Sequence, residues 1–98
     1  MIDYEERRAV YARAIEQNGA QLQSVVALEE LSEAQKEICK HLRGCGSIDH
    51  LAEEVADATI MLEQVQMLYC INERVCQYMD EKVQRLADRL QKAVQVNE

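Results

Sequence analysis

Glu54 and Asp57 stand three residues apart at the head of the most apolar stretch of the chain, EEVADATIMLEQVQMLYCI. On a helix, spacings of three, four and seven set Glu54, Asp57, Met61 and Leu68 along one side, so two carboxylates continue an apolar stripe. An unpaired carboxylate on such a face is costly, and two close together push at least one toward its protonated form. A bound cation or a set of basic partners removes that penalty. Glu53 points elsewhere, as an ordinary solvated first-turn acid.

A second acidic group precedes the first. LEELSEAQKE carries Glu29, Glu30, Glu33 and Glu37, and Glu30 and Glu33 share a helix face as Glu54 and Asp57 do. Alone, this run reads as a solvated acidic surface, because charged side chains normally lie outside. Two such pairs brought face to face make an oxygen-rich cage, the ligand set that hard divalent cations prefer. Magnesium takes octahedral oxygen coordination, keeps several waters and often bridges protein carboxylates to substrate phosphates. A carboxylate-bridged di-iron bundle would use Glu-x-x-His motifs. Neither His41 nor His50 follows a glutamate by three.

Lys82, Arg85, Arg89 and Lys92 form a basic strip at spacings of three, four and three, with Tyr78 on the same line. For Arg89 and Lys92 the expectation is surface solubility, helped by helical ion pairs such as Glu81–Arg85 and Asp88–Lys92. Lys82 and Arg85 are candidates for holding phosphate oxygens, which together with a carboxylate–metal site completes a polyphosphate binder.

Four helical stretches must position these groups, in a single domain of 98 residues without proline. The first spans Asp3 to Gln17, with Tyr4, Tyr11 and Ile15 along one side, and stops at Asn18-Gly19. The second runs from about Gln21 to Arg43 with Leu28, Leu31, Ile38 and Leu42 as its apolar stripe. Gly44 and Gly46 supply the turn, and Ser47 or Asp49 caps the third helix, which extends to Ile71. Ten of the fourteen residues from Ala58 to Ile71 are apolar and fall all round the helix, which marks it as central. The turn lets the second and third helices fold back as an antiparallel hairpin, so that the two acid pairs converge.

Asn72 caps the last helix, and Glu73 suits its positive end. Along it Cys76, Met79, Val83, Leu86, Leu90 and Ala93 recur at alternating spacings of three and four. Such a seam packs against another helix or another copy of the chain. A chain this short buries a limited core, which favours association. The tail from Val94 to Glu98 is expected to fray.

The net charge of −7 argues against a nucleic-acid polymer or an anionic membrane as partner. No segment pairs a basic start with an apolar run, and none approaches the ~18 apolar residues of a membrane span, so the expected location is cytoplasmic. Cys39 and Cys45, and Cys70 and Cys76, are each six apart and point to different helix faces. They read as reduced structural thiols rather than a metal chelate or disulfides.

The order of motifs resembles a known family. EELSE (Glu29 to Glu33), a gap of twenty residues and EVAD (Glu54 to Asp57) are similar to the EExxE…ExxD signature of MazG-like, all-α nucleoside triphosphate pyrophosphohydrolases. The flanks NGAQLQSVVALEELSEAQKEICKHLRG and HLAEEVADATIMLEQVQMLYCINERVCQYMDEKVQRLADRL resemble the two halves of small phage- and Firmicutes-type members. The resemblance implies an oligomeric bundle of four to five helices, a homodimer or homotetramer. It implies attack of water on the α-phosphorus of an NTP or dNTP, releasing nucleoside monophosphate and pyrophosphate. Glu30, Glu33, Glu54 and Asp57 would hold Mg²⁺, or Mn²⁺ in its place, with Glu29, Glu30 and Glu33 as catalytic acids. Glu29 would support the metal shell or the water. Lys82 and Arg85, a K-x-x-R, would hold the phosphates, and Gln23 would contact base or sugar.

Met61 stands where many family members have Asn, four residues after the ExxD aspartate. Phosphoribosyl-ATP pyrophosphohydrolase ranks lower, because SVVAL lacks the lysine that precedes its first acidic pair. A non-enzymatic helical interaction module is the alternative of a different class.

Overall fold

The computed structural model describes residues 1–97, which form four α-helices and no strand. Helix α1 spans Tyr4–Asn18, α2 Ala20–Leu42, α3 Ile48–Leu68 and α4 Asn72–Asn97. The all-α fold expected from composition is what the chain adopts.

Each boundary has a local cause. The Asp3 carboxylate accepts from the Glu6 backbone N–H at 2.8 Å, satisfying a donor that the first turn of α1 leaves open. Gly19, at φ +84°, both ends α1 and precedes α2. Ser47 is the cap of α3, its Oγ accepting from the His50 N–H at 3.0 Å. Gly46, at φ +90°, lies so close to α2 that a Cβ there would stand 3.3 Å from the Lys40 Cβ. The turn thus closes directly over the end of α2.

Three expected boundaries move, the first at α4: Asn72, expected as its cap, is its first residue, and the Val75 N–H donates to the Ile71 carbonyl at 2.9 Å. Helix α3 ends at Leu68 rather than Ile71, because Cys70 adopts φ +56° and the Ile71 N–H turns back to the Gln66 carbonyl at 2.9 Å. At the other end of the chain, α4 continues past Val94 to Asn97; Glu98, the last residue of the tail expected to fray, lies outside the described residues.

Helices α2 and α3 pack as the expected antiparallel hairpin, in a register set by three polar rungs. Gln23, Glu30 and Glu37 succeed one another every seven residues along α2, while Gln64, Asp57 and His50 do so in the reverse direction along α3. Gln23 Nε2 donates to Gln64 Oε1 at 2.7 Å, Glu30 meets Asp57, and Glu37 Oε1 lies 3.2 Å from His50 Nε2. Buried Ala27 and Ala58 lie between the outer rungs and allow close approach of the backbones. Helix α1 docks through Tyr11, whose hydroxyl donates to Glu63 Oε2 at 2.8 Å. Burial first, then that bond and the Glu63 charge, push the phenol up to about 12.

The face that α2 turns inward is therefore Gln23, Ala27 and Glu37, not the stripe of leucines. Of that stripe only Leu31 is half-buried; Leu28, Ile38 and Leu42 are exposed. So is the seam of α4: from Cys76 to Gln95 every side chain is exposed, Met79, Val83, Leu86 and Leu90 among them. The buried apolar core of the described residues comprises only Tyr11, Ala27, Ala58 and Met61. No helix among the described residues is long and apolar enough to cross a membrane.

Candidate metal centre

The middle rung of the hairpin gathers three carboxylates. Glu30 comes from α2 and Glu54 and Asp57 from adjacent turns of α3. One carboxylate oxygen from each lies within 4.8 Å of the others, close enough to contact a single ion. Glu30 and Glu54 are half-buried and Asp57 is exposed, so the group opens to solvent on one side. Three oxygens of this kind suit a hard divalent cation that retains water, as magnesium does.

Electrostatics sharpen the point. The Glu30 carboxyl is raised above its ordinary value, first by partial desolvation and then by the charges of Asp57, Glu54, Glu33 and Glu29. Crowded negative charge disfavours the ionised form, and a cation at the centre reverses that preference.

Other sequence candidates stand apart from this trio. Glu33, half-exposed, turns toward Lys36 at 3.3 Å. Glu29 is exposed and acts on Glu30 through its charge. Gln23 is buried, its amide donating to Gln64 and accepting from Asn18 Nδ2 at 2.9 Å, so its polar atoms are committed within the chain. Lys82 and Arg85 are exposed on α4, which packs against α3 alone. Neither forms an ion pair with the trio among the described residues. The expected pairs Glu81–Arg85 and Asp88–Lys92 do not form; Asp88 instead accepts from Gln84 Nε2 at 3.1 Å. Glu53 is solvated as expected, its side chain 70 % exposed. The four cysteines are free and exposed.

Two further groups adjoin the centre. Glu37, with a side chain only 4 % exposed, places Oε1 between Lys40 Nζ at 3.1 Å and His50 Nε2 at 3.2 Å. The same His50 atom lies 3.7 Å from Glu54 Oε1. The signal for both was the seven-residue spacing from Glu30 to Glu37 and from His50 to Asp57, which a search for Glu-x-x-His passes over.

A cavity of about 720 Å³ lies elsewhere, between α1 and α3. Val10, Tyr11, Ala56 and Ile60 line it, and none of the three carboxylates does. No protein-family model matches the chain, and neither a curated protein nor a solved structure matches it.

Proposed function

We propose that the chain is a cytoplasmic, MazG-like nucleoside triphosphate pyrophosphohydrolase that uses Mg²⁺, or Mn²⁺ in its place, and works as a homodimer or homotetramer. One observation carries the reading: the antiparallel register sets Glu30 of the first motif against Glu54 and Asp57 of the second. Two motifs separated by twenty residues in sequence thus meet at one oxygen-rich point.

Glu30, Glu54 and Asp57 would hold the cation, which would supply Lewis-acid polarisation of the phosphate and a lowered pKa for bound water. Glu33, one helical turn from Glu30 and paired here with Lys36, would join the shell only by turning away from that lysine. A water oxygen attacks the α-phosphorus, and the bond from phosphorus to the oxygen bridging to the β-phosphate breaks. Pyrophosphate leaves with that oxygen, and the water's proton passes to a neighbouring carboxylate. Glu29 and Glu33, whose charges act on Glu30, are candidates to receive it.

Lys82 and Arg85 bind the departing phosphates. They lie on a helix whose apolar seam is solvent-exposed in the single chain, and association that covers this seam is part of the reading. The same exposed seam favours, as a second reading, a helical interaction module without turnover. Incubation with a panel of NTPs and dNTPs plus Mg²⁺, assayed for pyrophosphate, separates the two.

A further inference from the structure

Three carboxylates gathered in one place repel one another, so something must hold them converged when no cation does. Glu30 and Glu54 are anchored by half-burial, but Glu54 has a second restraint. His50 lies one turn before it on α3, and its backbone N–H is fixed by the Ser47 cap. From there the ring reaches across the hairpin, its Nε2 standing 3.2 Å from Glu37 Oε1 and 3.7 Å from Glu54 Oε1. Both neighbours are carboxyl oxygens, so Nε2 faces acceptors on both helices, nearer to Glu37 than to Glu54.

Glu37 makes this contact stiff. Its side chain is 4 % exposed, Gly46 closes the turn above it, and Oε2 is buried with no hydrogen-bond partner. The cationic and N–H partners of this carboxylate therefore gather at Oε1, where Lys40 and His50 meet it. A buried charge with so few partners holds those it has, since losing one leaves it uncompensated.

We propose that His50 is a positioning residue for the candidate metal centre, tying the Glu54 carboxylate to the buried Glu37 on the opposite helix. This rests on the metal-site reading above. Groups that orient a ligand from behind typically change metal affinity when removed, by about 10–100-fold.

The test is Mn²⁺ binding by the full chain, followed by the paramagnetic resonance of free Mn²⁺ and by titration calorimetry. Wild type is expected to bind and Asp57→Asn not to. His50→Ala is expected to weaken binding by about 10–100-fold. Its metal-free helix content should be retained. His50→Gln, whose amide N–H can serve the same two oxygens, should recover most of the affinity. Glu53→Gln, at an exposed side chain 3.9 Å from the far side of the ring, should leave it unchanged. Absence of binding by wild type overturns the metal-site reading and this role with it. Wild-type binding with His50→Ala within twofold overturns the positioning role alone, as does His50→Gln as weak as His50→Ala. Should His50→Ala not fold, Glu37→Gln keeps the shape of the buried side chain and carries the same expectation; unchanged Mn²⁺ affinity there also overturns the role.

Discussion

Glu30 on α2 faces Asp57 on α3 across the middle rung of an antiparallel hairpin, with carboxylate oxygens within 4.8 Å of each other. Among the described residues no lysine or arginine pairs with either: Lys36 and Lys40 pair with Glu33 and Glu37 instead. The rung is therefore a point of concentrated negative charge on the α2–α3 interface, open to solvent at Asp57.

That charge has a consequence for stability. Glu30 holds its proton more tightly in the folded chain than its ordinary value of 4.5. Between that value and the raised one the folded state binds more protons than the unfolded state, so stability falls as pH rises through the window. Glu30→Gln removes the penalty. Metal-free thermal melts should show the variant more stable than wild type at neutral pH, with the gap shrinking in acid. Added Mg²⁺ or Mn²⁺ should raise the melting temperature of wild type and not of the variant.

Cys70 occupies the left-handed region at φ +56°, at a helix end where glycine is the usual residue. A side chain there costs roughly 1–2 kcal/mol, offset in part by the greater unfolded-state freedom of glycine. Cys70→Gly should therefore gain about 1 kcal/mol, which for a domain of this size raises the melting temperature by about 4–8 °C. A lower melting temperature would show that the Cys70 side chain supports the α3–α4 junction.

Helix α4 presents an apolar seam to solvent, with Leu86 near its centre and 48 % exposed. A charge at Leu86 leaves the single chain's packing untouched but opposes burial against a second copy. Light scattering should find wild type as a dimer or tetramer and Leu86→Glu as a monomer. A monomeric wild type would remove association from the account.

Most helix limits and the hairpin were legible because their signals are local: Ser47 as a cap, Gly19 and Gly46 where the backbone turns. The acid pair Glu54–Asp57 was legible as well, since carboxylates on an apolar stripe conflict with simple burial. The inward face of α2 was not. Its leucines have the stronger apolar period, yet the interface with α3 is built from Gln23, Ala27, Glu30 and Glu37, which a search for hydrophobic periodicity discards. The end of α3 was misplaced for a different reason. Cys70 has no sequence mark of a left-handed residue, and the apolar run continues through it. Nor does spacing along α4 reveal what its seam meets, because that depends on a surface outside the helix.

The most direct test of the central claim is pyrophosphate release from a panel of NTPs and dNTPs, with Mg²⁺ and with chelator, by wild type and Asp57→Asn. Wild type should release pyrophosphate, not orthophosphate, from at least one nucleotide, and only with the cation. Asp57→Asn should lose that release while keeping its helical circular dichroism. No release by wild type from any nucleotide, or release that survives Asp57→Asn undiminished, would contradict the account.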